Sequence, residues 1–332
     1  MKFKKRSKEH YSIGIDIGGT KILTALLNKR FRVLTAEKGR LDAHQGEKHF
    51  LKTVLASVST VMKQKNISRR EIKAVGIGCP GMIDHDRGSV KLSPNISFLK
   101  NYPLAKKIEK NLKIPVVLEN DVNAGLYGEY QFGAARGYQH IAGIFLGTGV
   151  GGAFILNGKL YSGADGGAGE IGHTYLELPS FLKGIDARLT LEALTGRLAI
   201  ATDASLLLMK QQALHLFQDV EFDIKQIKSK ALAKAIKAGD RSIETLIEDK
   251  ARILGIAMAN VVNLLNPELI VLGGGLMEAM GNRILPVAKK IMEQYALAPL
   301  VKSVKVLPAE LKDYAVLMGA AGLAFQKIHP SK

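Results

Sequence analysis

The sequence predicts an α/β protein built as two related lobes with a cleft between them. Three observations point there. A strand, a tight glycine turn and a returning strand occur at 13–27 and again at 141–156. Helix-period apolar patterns alternate with short buried strands along the rest of the chain. The length, 332 residues, is that of two domains at roughly 100–200 residues each.

After a basic N-terminal stretch, Ile13, Ile15 and Ile17 alternate with Gly14, Asp16 and Gly18, the period of a strand. Ile22 to Leu27 and Phe31 to Thr35 are the next two strands, with Asn28 to Arg30 turning between them. Phe50, Val54, Val58 and Val61 follow helical spacing. Ser68 to Glu71 has the form of a capping box and leads into the strand Ala74 to Gly78, punctuated by Pro80 and Gly81. Ile114 to Leu118 is a further strand, and residues 122–132 form a helix directly after it. Ile141 to Leu146 and Ala153 to Leu156 are strands around the second glycine turn. Asn157-Gly158 is a hairpin signal, because a type I′ turn needs positive φ at both positions. Residues 191–216 and 228–238 are predicted helical, and from Asp240 one long apolar face runs to Leu265 before Asn266-Pro267 ends it. Leu269 to Leu272 is a buried strand, and a last helix covers about 315–328. The expected small domain is 11–118 with 313–330, the large domain 119–312, with a hinge near 118–121 and a disordered basic tail over 1–10.

Composition excludes several classes. Hydrophobic residues make up 47% and charged residues 23%, so the chain is neither a disordered protein nor a coiled coil. The one cysteine, Cys79, rules out an internal disulfide and any zinc site with several cysteines. No apolar run reaches the ~18 residues of a membrane span, and the N-terminus lacks the apolar stretch of a signal peptide. A reduced, cytoplasmic setting is expected, with no membrane partner. The net charge of +17 is a prior for anionic ligands. Five basic residues (Lys2, Lys4, Lys5, Arg6 and Lys8) stand against Glu9 in the tail, but there is no second dense run, and with aromatics at 6% and no Trp little remains for a base-stacking surface. No nucleic-acid partner is expected.

Five segments carry chemistry. In Gly14 to Lys21, a glycine turn exposes backbone N–H groups to a phosphate, Thr20 adds a hydroxyl, and Asp16 is suited to a Mg²⁺-bound water. It lacks the order of a Walker A loop or a dinucleotide fingerprint, and alone it is equally an ordinary hairpin. Gly147-Thr148-Gly149 occupies the same point of the second repeat, and a pair of such turns is much harder to obtain by chance. Glu119 to Asn123 ends a strand and opens a helix, where the dipole favours a carboxylate anion. Asp121 there suits a general base and equally suits an N-cap. Glu170 and His173, three apart, are either a functional pair or a surface pair. Gly273 to Gly275 follow a buried strand, where a flat ring can pass close to the backbone or the chain simply turns into a helix.

These segments, with Gly76–Asp84, Ser93–Phe98, Leu191–Ile200 and Ala315–Ala324, resemble the ROK family of bacterial sugar kinases and related repressors, within the actin-like ATPase superfamily. The match runs in family order from residue 13 to 324. The resemblance implies an actin-like, ribonuclease H-like fold and an ATP- and Mg²⁺-dependent kinase, a glucokinase first, acting on the C6 hydroxyl of a hexose. It implies that Asp16, Gly18, Gly19 and Thr20 form the first phosphate turn, with Lys21 beside it in the nucleotide site. Gly147, Thr148 and Gly149 would form the second turn, and Gly273, Gly274 and Gly275 would face the adenosine. Asp121 would be the base. Gly81, Asn95, Asn120, Asp121, Glu170, His173 and Glu192 would hold the sugar, a set of donors and acceptors suited to hydroxyl groups. A homodimer is expected. Fructose, N-acetylmannosamine and N-acetylglucosamine stay open as acceptors and polyphosphate as donor. A sugar-responsive repressor is the rival reading, although only twelve residues precede the first strand, too few for a DNA-reading domain. The chain departs from the family at 174–191, which holds none of the cysteines that bind a structural zinc with the histidine. No structural zinc is expected, and Leu178, Phe181, Leu182, Ile185 and Leu189 are expected to pack that loop instead.

Overall fold

The computed structural model describes residues 10–176 and 189–329, which fall into two units. Residues 1–9, 177–188 and 330–332 lie outside the described residues, and with them the expectations for the tail and for Leu178, Phe181, Leu182 and Ile185.

The first unit takes in the chain to Gly137, then 160–168, then everything from Asp313. Its elements are β1 (Tyr11–Ile17), β2 (Lys21–Asn28), β3 (Val33–Arg40), α1 (Gly46–Gln64), β4 (Ile72–Cys79), the hairpin β5 (Met82–Asp84) and β6 (Ser89–Leu92), α2 (Leu104–Leu112), β7 (Val116–Asn120), α3 (Asp121–Phe132) and the C-terminal helix α11 (Ala315–Ile328). The sheet order is β3-β2-β1-β4-β7, with β1, β4 and β7 parallel and β2 and β3 antiparallel. The alternation in β1 has a two-sided cause. Ile13, Ile15 and Ile17 point into a core closed by Phe50, Val54 and Val58 of α1. Gly14 and Gly76 point the other way, where α11 lies so close that a Cβ would stand 2.1 Å from Leu317 O and 1.9 Å from Ala320 O.

The second unit holds β8 (Ile141–Leu146), β9 (Val150–Leu156), the first residue of β10 (Lys159–Tyr161), the short pair β11 (Tyr175–Leu176) and β12 (Leu189–Thr190), α4 (Leu191–Thr195), α5 (Arg197–Met209), α6 (Leu214–Val220), α7 (Ser229–Ala238), α8 (Arg241–Leu265), β13 (Leu269–Gly273), α9 (Gly275–Tyr295), α10 (Ala298–Val301) and β14 (Lys305–Pro308). The sheet order β10-β9-β8-β13-β14 repeats that of the first sheet, with β8, β13 and β14 parallel and β9 antiparallel to β8. Every residue of β13 is buried, and Ile243, Ile247, Leu254, Met258 and Val262 of α8 form the largest apolar face of this core.

Several predicted boundaries need correction. The chain passes to the second unit after Gly137, not at 118–121, because β7 runs straight into α3 and α3 lies against α11 through Ala124, Gly128, Ala315 and Gly319. The third strand starts at Val33 instead of Phe31. Asn28 Oδ1 accepts the N–H groups of Arg30 and Arg32, and Phe31, at φ +56°, turns its ring onto Phe132 and Phe325. The helix expected over 191–216 is three helices, broken at the extended Gly196 and again before Leu214, where Asp240 accepts the N–H groups of His215 and Leu216. The I′ hairpin is as expected, with Asn157 at φ +53° and Gly158 at φ +70°.

Candidate active site

In the first unit the turn between β1 and β2 is closed by Gly18 N–H to Lys21 O at 2.9 Å, and Thr20 and Lys21 are exposed. Asn95 lies against this turn, its Cβ 3.4 Å from where a side chain on Gly19 would begin. Asp16 leaves β1 on the face opposite the isoleucines. Burial pushes its carboxyl up to about 7, helped by the neighbouring charges of Asp121 and Asp313. The Asp121 and Asp313 charges thus disfavour a further negative charge at Asp16.

Asp121 is the first residue of α3, and Asn120 is the N-cap. Asn120 Oδ1 accepts Val122 N–H at 2.9 Å and Asn123 N–H at 3.0 Å, which meets the demand of the free helix end. Asp121 Oδ1 shares Val122 N–H at 3.0 Å. With the cap supplied by its neighbour, the Asp121 carboxylate is not the element that ends the helix. Asn120 Nδ2 donates to Gly81 O at 3.1 Å, so one of its two N–H groups is left for a ligand. Glu119, absent from the predicted site, is buried directly behind. Its Oε1 accepts Asn120 N–H at 2.8 Å and Asn123 Nδ2 at 3.1 Å, and its Oε2 pairs with His85 Nε2 at 2.8 Å. The Glu119 hydrogen bond raises the His85 pKa. A charged residue directly after the apolar run 114–118, still within the strand, was the one signal available for it.

In the second unit the turn Gly147-Thr148-Gly149 is closed by Gly147 N–H to Gly149 O at 2.9 Å. Glu192, in the first turn of α4, accepts Val150 N–H at 2.9 Å and lies so close to the turn that a Cβ on Gly149 would stand 1.9 Å from its carboxylate. Glu170 and His173 flank a single helical turn and are exposed, with His173 Nε2 3.8 Å from Glu170 Oε2, too long for a hydrogen bond. Gly273 ends β13, Gly274 takes φ +89°, and Gly275 opens α9. The structure therefore gathers Asp16, Gly18 to Lys21, Gly81, Asn95, Asn120 and Asp121 in one unit. Within the other, it sets Gly147 to Gly149 against Glu192, with Glu170 and His173 on a separate turn and Gly273 to Gly275 at the end of β13.

A sheet of this order built twice, each copy with a glycine turn between its first two strands in sequence, is the actin-like ATPase fold. Within it, the chain belongs to the ROK family, whose sequence model matches residues 12–327. A glucokinase from Halalkalibacterium halodurans is 30% identical over 96% of this chain and 96% of its own length. A xylose repressor from Caldicellulosiruptor bescii is 28% identical over 94% of this chain and 77% of its own. A ROK family glucokinase from Streptomyces griseus, solved with glucose and AMPPNP, is 30% identical and superposes with a TM-score of 0.82, covering 95% of this chain and 99% of that one. Among the described residues no helix is long and apolar enough to cross a membrane.

Proposed function

We propose that the protein is an ATP-dependent hexose kinase, a glucokinase, which transfers the γ-phosphate of ATP to the C6 hydroxyl of glucose. The observation that carries the reading is the pairing, in the first unit, of a glycine turn with a carboxylate at the start of α3. Asp121 stands next to Asp16 without serving as the helix cap. Asp121 takes the proton of the attacking hydroxyl. Gly81, Asn95, Asn120, Glu170, His173 and Glu192 bind the sugar. Gly18, Gly19, Thr20 and Lys21 bind phosphate, as do Gly147, Thr148 and Gly149, and Gly273 to Gly275 take the adenosine. The glucokinase relatives support both the sugar and the donor.

The donor set also fits a Mg²⁺ ion. Among the described residues no group of three or more His, Cys, Asp and Glu side chains cages a metal unaided. Mg²⁺ bound with a nucleotide needs only one or two carboxylates, since phosphates and water complete its shell. Asp16 would hold it through water, and a cation there would favour the ionised form of a carboxyl that burial and the Asp121 and Asp313 charges push up. The ion would neutralise charge on the transferring phosphoryl group.

The repressor reading is supported by the xylose repressor relative, of whose length this chain covers 77%. One experiment separates the readings. A coupled assay with ATP and Mg²⁺ over glucose, fructose, mannose, N-acetylmannosamine and N-acetylglucosamine should show glucose 6-phosphate forming fastest. No sugar phosphate with any member would end the kinase reading, and a different preferred sugar would replace glucose.

A further inference from the structure

Arg197 is the first residue of α5, and both its main chain and its side chain face the second glycine turn. Its N–H donates to Gly147 O at 3.1 Å, and its guanidinium Nη2 donates to Thr148 Oγ1 at 3.3 Å. The next N–H, of Leu198, donates to Thr148 O at 3.3 Å. Two consecutive carbonyls of the turn are thereby occupied by the start of α5. The N–H groups of Thr148 and Gly149 reach no acceptor among the described residues. Backbone N–H groups left over in a tight turn form a concave site for an anion.

The charge balance at this spot is uneven. A guanidinium carries five N–H donors and a permanent positive charge. One donor goes to a neutral hydroxyl, and no carboxylate among the described residues forms an ion pair with Arg197. Glu192, the acid nearest in sequence, is committed to Val150 N–H. A half-satisfied cation, a hydroxyl and two free amides on one turn match a chain of phosphate oxygens, which presents several strong acceptors and negative charge at once. A sugar hydroxyl, being neutral, has no use for the charge.

We propose that Arg197 binds the phosphate chain of the nucleotide, together with Thr148 and the free N–H groups of the second turn. The proposal rests on the kinase reading, since it takes the donor to be ATP. It distinguishes Arg197 from a residue that only braces Thr148, because a brace through the Thr148 hydroxyl would be lost as fully in Thr148→Val as in Arg197→Met.

The test is calorimetric titration of the full-length protein, in Mg²⁺ buffer, with ATP and with adenosine as probes. Wild type, Arg197→Met, Arg197→Lys and Thr148→Val are compared. Arg197→Met should weaken ATP about 10–100-fold, the worth of hydrogen bonds to a charged group, and leave adenosine affinity unchanged. Arg197→Lys should recover part of the loss, as a point charge without the planar fork. Thr148→Val should cost less than Arg197→Met. Retained adenosine binding shows that the variants are folded. Equal weakening of ATP and adenosine, an ATP affinity untouched by Arg197→Met, or a wild type that does not bind ATP would overturn the proposal. A wild type that shows the Arg197 effect on ATP but phosphorylates no hexose would sink the kinase reading and leave Arg197 as a nucleotide ligand.

Discussion

His85 Nε2 lies 2.8 Å from Glu119 Oε2, and this pair ties the β5–β6 hairpin to the strand end that presents Asn120 and Asp121. Glu119 is buried, so it needs partners for both oxygens, and it finds them in Asn120 N–H, the Asn123 amide and the His85 ring. The hairpin in turn begins beside Gly81, whose carbonyl takes the Asn120 amide. The same side chain that anchors the start of α3 therefore also anchors the neighbouring loop.

Removing the ring leaves a buried carboxylate oxygen without its partner, at a cost of about 1–3 kcal/mol. His85→Ala is expected to destabilise the protein by that amount at pH 6. The pH dependence has a definite sign. Glu119 raises the His85 pKa in the folded state above its unfolded value. The stabilisation is full below the unfolded value, near the ordinary 6.5, and declines as pH rises through the folded one. Urea unfolding of wild type and His85→Ala at pH 6 and pH 9 measures it. A difference that grows toward pH 9 would contradict the argument.

Asp16 has the opposite consequence for the unliganded protein. Its pKa stands at about 7 against 3.8 for a free carboxyl, so folding favours the protonated form. That contribution is full below 3.8 and is lost as pH rises through 7. Between pH 5.5 and 8.5 wild type should lose roughly 2 kcal/mol relative to Asp16→Asn, from 1.4 kcal/mol per pH unit up to the folded pKa. Asn carries no titrating proton, so the two unfolding curves diverge with pH. Adding Mg²⁺ and ATP should narrow the gap at pH 8.5, since a cation replaces the proton. Curves that stay parallel from pH 5.5 to 8.5 would remove the burial argument.

Asp121→Asn changes one oxygen to an amide nitrogen and is nearly isosteric. Asn120 caps α3 in the wild type, so the helix end keeps its partners in the variant. The expected outcome is an intact fold and sugar affinity with kcat lower by about 10²–10⁴-fold, the usual worth of a positioned base. A variant with near-normal kcat would take Asp121 out of the chemistry.

Most of the scaffold was legible because its periods are forced by two-sided burial. Ile13, Ile15 and Ile17 alternate with small residues because one face of β1 meets the α1 core and the other meets the backbone of α11. The repeat of strand, glycine turn and strand marked both sheets before any pairing was known. What escaped was fixed by distant partners. The continuation of β3 from Thr35 to Arg40 is mostly polar and follows from its pairing with β2. The break at Gly196 follows from α4 and α5 meeting the second glycine turn, 47 residues back along the chain. The His85–Glu119 pair spans 34 residues, and no spacing rule joins them. Asp121 was visible from its place after a strand, whereas the transfer of the capping role to Asn120 shows only in the hydrogen bonds.

The absence of cysteine from residues 174–191 leads to a prediction that stands on residue chemistry alone. A structural zinc takes about four nitrogen or sulfur ligands, and even catalytic zinc usually has three from protein. Residues 174–191 contain neither cysteine nor histidine, and Cys79, the one cysteine of the chain, is buried in the core of the first unit. His173 is well exposed in the second unit, with Glu170 3.8 Å away as its ion-pair neighbour. One imidazole and one carboxylate make half a zinc shell, and both are assigned to the sugar in the proposed site. The purified protein is therefore expected to contain no stoichiometric zinc, and His173→Ala should raise the sugar KM without lowering the melting temperature. Near-stoichiometric zinc that survives dialysis against a chelator, and is lost together with thermal stability in His173→Ala, would assign the histidine to a metal and remove it from the sugar site.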